Sequence, residues 1–287
     1  MNDTAIPAKN PLELWDGPTG QAWVTNQALL DHLLQPFEDL LVDTPVATGA
    51  AQVLDIGCGT GSVARAITQR LGPDGRCIGV DISRPMTAAA AARTTDPRLS
   101  FVCTDAQTYA FAPASIDLFV SRFGVMFFTA PQTAFANLRR AARDGASLRC
   151  VAWRSAADNP FMTTAERTAA PLLTNLPPRR ADEPGQFAFG DAAYVRDILE
   201  HSGWQDVDIQ PVDVVCRMPE AALVTYFSQL GPVGLALRSV DEATHANVIA
   251  AVRAAFDRFV EGDEVRFSAA CWLIGASAGA ATDRRDA

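Results

Sequence analysis

The stretch VLDIGCGTG, residues 53–61, decides the fold. It begins as an apolar strand, reaches Asp55, and then places three glycines at alternate positions, Gly57, Gly59 and Gly61. Glycine is needed where a backbone turns tightly or approaches a ligand without an intervening Cβ. A glycine loop that leads from a strand into a helix offers free N–H groups to an acceptor. The stretch therefore predicts a ligand-binding loop at the start of an α/β domain.

Strand and helix patterns alternate on both sides of this loop. The strand segments are apolar almost throughout, which is typical of a parallel sheet that is buried on both faces. Right-handed crossovers then place the helices over the sheet. We predict an α/β fold with a doubly wound, Rossmann-like sheet. The strands are QVLDIG, RCIGVDI, LSFVCTD, IDLFVSR and SLRCVAW, and the helices between them are SVARAITQRL, RPMTAAAAARTT and PQTAFANLRRAARDG.

The flanking regions add helices before the sheet and insertions after it. LLDHLLQPFEDLL, residues 29–41, has helical spacing and follows the loop WDGPTGQAW. After Trp153 the alternation of strands and helices gives way to a turn-rich stretch with PPRR and DEPG. YVRDILEHSGW then predicts a further helix. A strand near DVDIQPVDVVC, a helical stretch from PEAALVTYF to AAFDRFV and a last strand near VRFSAACWLIGA follow. Two late insertions predict a cap over the carboxyl edge of the sheet, and ATDRRDA predicts a frayed tail.

Composition narrows the classes of partner. The chain has 33 acidic and 24 basic residues and a formal charge of −9, which argues against a nucleic-acid partner. Its apolar runs are too short for a spanning helix, and its first residues do not resemble a secretory signal, so we expect a cytoplasmic protein without membrane insertion. The six cysteines are scattered, and no Cys/His cluster predicts a metal site. The oligomeric state, monomer or homodimer, stays open.

Polar side chains stand at the ends of four successive strands, at Asp55, Asp81, Asp105 and Ser121. The rival interpretation of the loop is the dinucleotide fingerprint GxGxxG. Here the third glycine, Gly61, falls at the fifth position of that pattern, and the sixth position is Ser62. Asp55 would also repel a pyrophosphate, so a cofactor with a cationic end fits better. An NAD(P)-dependent oxidoreductase stays as the alternative.

In their order and spacing, VLDIGCGTG, VDIS, CTDAQ and SRFGVMFF resemble motifs I to IV of the class I S-adenosylmethionine-dependent methyltransferases. The nearest branch contains the quinone-biosynthesis and natural-product enzymes. The resemblance implies a seven-stranded sheet with an antiparallel last strand, and S-adenosylmethionine as cofactor with S-adenosylhomocysteine as product. It also implies in-line methyl transfer to a small, fairly apolar acceptor, such as a phenol, an enol or quinol carbon, or an amine.

The resemblance assigns roles to individual residues. It implies Asp55, Gly57, Cys58 and Gly59 near the methionine moiety, Asp81 on the ribose, Ile82 and Met86 flanking adenine, Asp105 and Ala106 on the adenine edge, and Ser121 and Phe123 beside the sulfonium. In this branch an N-terminal aromatic segment folds over the cofactor, so Trp15 and Trp23 are either cofactor contacts or plain hydrophobic anchors. Segments 1–50, 51–153, 154–264 and 265–287 then form the helical cover, the cofactor-binding core, the remaining core with its cap, and the last strand with its tail.

The catalytic group is left open. His245, in the cap, is one candidate for a general base, and Arg122 is another functional candidate that is equally suited to pairing with a nearby acid. His32 and His201 lie in helices and are interpreted as structural. No Asn/Asp-Pro-Pro-Tyr motif follows the fourth strand, which argues against methylation of bases or protein amides. A module that binds the cofactor without methyl transfer is a further alternative.

Overall fold

The computed structural model describes residues 11–179 and 183–279, and the predicted tail ATDRRDA lies outside these ranges. Within them the chain forms a sheet of eight strands in the order β3-β2-β1-β4-β5-β8-β6, with β7 paired to the start of β8. The strands are β1 (Gln52–Ile56), β2 (Arg76–Asp81), β3 (Leu99–Cys103), β4 (Ile116–Arg122), β5 (Ala142–Trp153), β6 (Gln205–Pro219), β7 (Val260–Glu261) and β8 (Glu264–Ser277).

The first five strands are parallel, and the last strand is not. Parallel pairs join β1 to β2 and β4, β2 to β3, and β4 to β5. β8 inserts between β5 and β6 and runs antiparallel to both. This confirms the predicted Rossmann-like sheet with an antiparallel last strand. The carboxyl ends of the parallel strands therefore meet at one edge, where ligands bind in open α/β sheets.

Helices cover the sheet, and several begin where proline occupies the first helical position, whose N–H has no partner within a helix. None of the described helices has the combination of length and apolar character that crossing a bilayer needs. The helices are α1 (Pro11–Trp15), α2 (Pro18–Thr25), α3 (Gln27–Val42), α4 (Thr44–Thr48), α5 (Ser62–Arg70), α6 (Arg84–Ala92), α7 (Pro131–Ala141), α8 (Pro160–Ala169), α9 (Ala192–His201), α10 (Leu223–Gln229), α11 (Gly231–Leu237) and α12 (Glu242–Ala255).

The amphipathic helix predicted before the sheet is α3, and it belongs to the main core. Its apolar face carries Leu33, Phe37 and Leu41, each at most 1% exposed, in the same hydrophobic cluster as the central strands. The Phe37 ring meets Phe123 and Trp153 edge-on, with centroid distances of 4.8 and 5.6 Å. The N-terminal helices are therefore built into the body of the molecule.

Two local predictions differ from the structure. The turn-rich stretch after Trp153 contains a helix, α8, whose buried face carries Thr163 and Thr164 beside Phe161 and Ala169. The helix predicted to close at Gly145 ends at Ala141, and the next residues already belong to β5. There, backbone pairing outweighs the helix propensity of the segment.

Candidate cofactor site

The glycine loop connects β1 to α5 and is shaped by close backbone contacts. The N–H groups of Gly57 and Cys58 both donate to the carbonyl oxygen of Val80, at 2.8 and 3.0 Å. Gly57 has a φ of +67°, and a Cβ at this position would lie 2.6 Å from the Cα of Gly124. Any side chain here would be strained and would also clash with the segment that follows β4. The loop is thus held against two neighbouring strand ends.

Asp55 is the next-to-last residue of β1 and is 1% exposed. Of the described carboxylates, it alone is buried with both oxygens lacking a hydrogen-bond partner. Burial raises the pKa of Asp55 to about 7; the charge of Arg122 opposes this shift, and Asp81 and Glu38 add to it. The amide of Ala64 also lowers this pKa, although it lies outside hydrogen-bond geometry. The carboxylate is therefore available to a donor from a ligand.

Asp81 ties the first and second strand ends together. Its Oδ2 accepts from the N–H of Gly59 and its Oδ1 from the N–H of Ser83, both at 2.9 Å. Burial raises the pKa of Asp81, and these amides oppose the shift. Met86, in α6, is 3% exposed and lies near Gly59, and Ile82, which follows Asp81, is half-buried. The structure thus brings these predicted site residues together around the glycine loop.

The third strand end forms a compact turn. The carboxylate of Asp105 accepts from the backbone N–H of Gln107 at 2.9 Å and from its side-chain amide at 3.1 Å. The carbonyl oxygen of the buried Ala106 accepts from Asn137 Nδ2 at 3.0 Å. Asp105 is half-buried and already partly paired within the loop. The adenine-edge role of Asp105 and Ala106 stays a prediction.

At the end of β4, Ser121 and Phe123 have different surroundings, although the same motif contains both. Ser121 is fully buried, and its Oγ donates to the carbonyl oxygen of Ile56 at 2.7 Å and accepts from the N–H of Gly124 at 3.2 Å. These bonds hold β4 against the glycine loop. Phe123 has a left-handed φ of +64° and stacks on Trp153 with centroids 4.5 Å apart. Phe123 therefore faces the site, whereas the hydroxyl of Ser121 is committed to backbone atoms.

A cavity of about 40 Å³ lies between the glycine loop and the N-terminal helices. Of the predicted site residues, it brings together Asp55, the glycine loop, Trp23, Phe123 and Arg122. Sequence reasoning missed the wall that α3 and the start of α5 supply. The spacing of Leu30, Asp31 and Leu34 places them on one face of α3, and this pattern in the sequence could have indicated a shared wall. The lining is Trp23, Leu30, Asp31, Leu34, Asp55, Gly57, Cys58, Gly59, Thr60, Val63, Arg122 and Phe123.

Arg122 spans the space between α3 and α5. Its Nη2 donates to Ser62 Oγ at 2.8 Å and its Nη1 to the carbonyl oxygen of Leu34 at 3.2 Å, while Glu38 Oε2 lies 3.7 Å from Nη1. The side chains of Arg122 and Glu38 are each 11% exposed. Burial lowers the pKa of Arg122, and the nearby acids Glu38, Asp55 and Asp31 oppose this. The guanidinium thus has an acidic partner and also lines the cavity.

The two tryptophans and the cap histidine lie in different settings. Trp15 meets Trp23 edge-on at 5.7 Å and Phe127 at 5.0 Å, so an aromatic group from the N-terminal helices contacts the segment after β4. Trp23 lines the cavity, whereas Trp15 does not. His245 is exposed on α12 and is not among the described residues that line the cavity. The structure does not bring it to Asp55 or Phe123.

Residues 53–145 match the family model described as a methyltransferase domain. Residues 53–145 thus form a methyltransferase domain. A demethylmenaquinone methyltransferase of Roseiflexus sp. (strain RS-1) is 37% identical to this domain over 107 residues, which are 37% of this chain and 44% of the relative. The nocamycin O-methyltransferase of Saccharothrix syringae is 27% identical over 201 residues, 66% of this chain and 72% of the relative.

The fold of the methyltransferase domain extends over most of the chain. A solved structure of Haemonchus contortus phosphoethanolamine N-methyltransferase 2 in complex with S-adenosyl-L-methionine shares the fold with a TM-score of 0.58 at 15% identity. The match covers 96% of this chain and 61% of that chain. S-adenosylmethionine is the cofactor of this family. The chain spans less than half the length of the Roseiflexus relative, so the fold and the domain are what these similarities establish.

The residues of the methyltransferase domain fit this cofactor. The two unpaired oxygens of Asp55 suit an ammonium group such as that of the methionine moiety. A Cβ at Gly59 would lie 3.9 Å from Met86 Sδ, so a glycine there keeps the space beside Met86 open. The apolar side chains of Phe123 and Trp153 suit a wall that contacts a thioether.

Proposed function

We propose that this protein is an S-adenosylmethionine-dependent methyltransferase that acts on a small, fairly apolar acceptor. The observation that carries the proposal is Asp55, a buried carboxylate with both oxygens unpaired beside a glycine loop at a strand end. The names of the relatives, a demethylmenaquinone methyltransferase and a nocamycin O-methyltransferase, support a small-molecule acceptor. The net charge of −9 supports the same class over a nucleic acid. A cytoplasmic location and a monomeric or homodimeric state stay predictions.

We assign the cofactor contacts by their place around the loop. Asp55 and Gly57 to Gly59 take the methionine end, and Asp81 takes the ribose hydroxyls. Trp23 and Phe123 both contact the ligand from the cavity lining in this proposal, and Trp15 packs against Trp23. The remaining proposed contacts are Ile82 and Met86 at the adenine faces and Asp105 and Ala106 at its edge. Ser121 acts through its hydrogen bonds to the loop, as a positioning residue.

In-line methyl transfer depends more on the alignment of cofactor and acceptor than on proton transfer. When bound, the cofactor supplies an electrophilic methyl group on a sulfonium centre. The glycine loop and Asp81 fix the position of the ligand, since proximity and orientation can contribute roughly 7–11 kcal/mol. Phe123, backed by Trp153 and Phe37, excludes water and presents an apolar surface on the side of the departing thioether. His245 has no part in this scheme.

Isothermal titration tests the proposal directly. The purified protein is titrated with S-adenosylmethionine, S-adenosylhomocysteine and NAD in separate experiments. We expect micromolar binding of the first two and none of NAD, because Asp55 favours a cationic group and repels a pyrophosphate. Binding of NAD without the sulfonium compounds would overturn the proposal in favour of the oxidoreductase alternative. Screening of phenolic, quinol and amine acceptors would follow the expected result.

A further inference from the structure

Asp55 and Arg122 carry opposite charges beside the same cavity and do not pair with each other. Both side chains line the cavity at the glycine loop. Burial raises the pKa of Asp55 and the charge of Arg122 opposes this, so the two groups lie within electrostatic range. Among the contacts of the described residues, however, no hydrogen bond or ion pair joins them, and both oxygens of Asp55 stay unpartnered. Opposite charges attract strongly in a buried site, so other contacts must hold them apart.

Contacts with α3 and α5 hold the guanidinium of Arg122 in place. Its Nη2 donates to Ser62 Oγ at 2.8 Å and its Nη1 to the carbonyl oxygen of Leu34 at 3.2 Å, and Glu38 Oε2 lies 3.7 Å from Nη1. The short side chain of Asp55 is fixed in β1, which pairs with β2 on one side and β4 on the other. An ion pair with Asp55 would therefore cost Arg122 its contacts with both helices.

The guanidinium keeps a donor for a ligand. Its Nε has no hydrogen-bond partner among the described residues, although the side chain of Arg122 is only 11% exposed. A poorly solvated N–H without an acceptor is unfavourable, so Arg122 favours an acceptor from a ligand in the cavity. Asp55 favours a donor for the same reason. The two groups present complementary needs across one small space.

A ligand that satisfies both groups carries a cation and an anion close together. A cation alone would pair with Asp55 and leave the N–H of Arg122 without an acceptor, whereas an anion alone would leave Asp55 unpaired and be repelled by it. An α-amino acid has its ammonium and its carboxylate on one carbon atom and meets both needs. The cavity of about 40 Å³ is large enough for such a small polar group and too small for a whole nucleoside.

The neighbouring acids on α3 already have cationic partners. Asp31 lines the cavity, and its Oδ2 pairs with Arg93 Nη2. Glu38 pairs with Arg122 from the side of α3. A guanidinium has enough N–H donors to bind Glu38 and a second carboxylate at once. Of the described cavity residues, Asp55 and Arg122 are therefore the charged groups with capacity left for a ligand.

We propose that Arg122 binds the carboxylate of the amino-acid end of the cofactor while Asp55 binds its ammonium, so that the site selects cofactors in which this end is intact. This inference rests on the proposed methyltransferase function. Ser62 and Glu38 are positioning residues, because they hold the guanidinium at the separation from Asp55 that the two charges of one amino acid bridge. A cofactor without the carboxylate leaves Arg122 unsatisfied.

Titration calorimetry compares S-adenosylhomocysteine with its decarboxylated analogue, which keeps the ammonium. We expect the wild type to bind S-adenosylhomocysteine about tenfold or more tightly than the analogue. Arg122→Met combined with Glu38→Gln leaves no unpaired buried charge and should bind both ligands with similar affinity. Asp55→Asn should weaken binding of both and keep the preference. Arg98→Met is the matched control and should also keep it, because Arg98 pairs with Asp96 at 2.7 Å and is not among the described residues that line the cavity.

Two results would overturn the inference. One is equal affinity of the wild type for the two ligands, a comparison that needs no variant and does not depend on the folding of one. The other is a double variant that keeps the wild-type preference, since the carboxylate would then be bound by another residue. A wild type that binds neither S-adenosylmethionine nor S-adenosylhomocysteine would overturn the proposed function and this inference with it. Normal binding of both cofactor forms with either of the two results removes the role of Arg122 alone.

Discussion

The unpaired carboxyl of Asp55 makes stability depend on pH. Its pKa is about 7 in the folded protein against 3.8 as the ordinary value. Below both values the group is protonated in both states, and between them the folded state holds a proton that the unfolded state releases. The free energy of unfolding therefore falls as pH rises from about 4 to 7, by up to roughly 4 kcal/mol. Denaturant unfolding across this range measures the slope.

Asp55→Asn removes this titrating group, so the variant should show a smaller slope, the remainder coming from Asp81, whose pKa is also raised, and it should be more stable than the wild type above pH 7. Asp96→Asn is the control, because Arg98 lowers the pKa of this half-buried carboxyl, so its contribution to stability changes only at acid pH. A wild-type stability that is flat between pH 4 and 7 would show that Asp55 is ionised throughout.

Asp81 has two roles that substitution can separate. Asp81→Ala leaves the N–H groups of Gly59 and Ser83 without their acceptor and removes the proposed ribose contact. We expect binding of S-adenosylmethionine to weaken at least tenfold, measured by titration calorimetry. Asp81→Asn keeps one acceptor oxygen and should show a smaller loss. Unchanged affinity in the folded alanine variant would remove the ribose assignment.

Sequence reasoning identified the residues at strand ends better than those that reach the site from helices. Asp55 and Asp81 follow apolar strands directly, so topology alone places them at one sheet edge. Glu38 lies on α3, and only the packing of this helix beside the glycine loop brings it to Arg122. Asp31, seven residues earlier on the same helix, pairs with Arg93 and lines the cavity. The orientation of Ser121 toward backbone atoms depends on the turn at Phe123. Phe123 has a positive φ although it is not glycine, and the sequence does not predict this conformation.

At the scale of elements, the need for glycine in the loop can be tested by comparing Gly57 with Gly49, which lies outside the loop and has the same φ. Gly57 and Gly49 both have a φ of +67°, but a Cβ at Gly49 meets nothing within 4 Å. Gly49→Ala should cost about 1–2 kcal/mol from the left-handed conformation alone. Gly57→Ala adds the clash with Gly124, so we expect a clearly larger loss of stability in urea unfolding and loss of cofactor binding. Equal costs would mean that the loop has room for a side chain.

The parallel strands and their crossover helices were predictable because their apolar runs are continuous and bounded by glycine and proline. The cap was harder to predict. α8 buries threonines, and the stretch read as one helical region divides into α10, α11 and α12, with Gly231 taking a positive φ between the first two. Tertiary packing, which a single sequence does not display, decides such boundaries.

At the scale of the whole molecule, the N-terminal helices are required for folding. Removing residues 1–42 would uncover the partners of Leu33, Phe37 and Leu41, which are at most 1% exposed. Three such side chains contribute roughly 5–9 kcal/mol, comparable with the total stability of many domains. We expect the truncated chain to be insoluble when expressed, with removal of residues 1–10 as the control. A soluble, cooperatively unfolding product would show that residues 51–279 are an independent unit.

The break at Asn26 separates α3, in the main core, from α2, which packs beside α6, and the side-chain amide of Asn26 donates to Gln229 Oε1 at the end of α10 at 3.0 Å. The cavity at the glycine loop measures about 40 Å³, whereas sites for small molecules enclose ~300–1,000 Å³. Because α3 is anchored in the core, we expect the site to widen for a ligand through a shift of α1 and α2 about this break, which would part the Asn26–Gln229 bond. The spent cofactor would then leave only when this bond parts, and we expect its release to limit how quickly one turnover follows another.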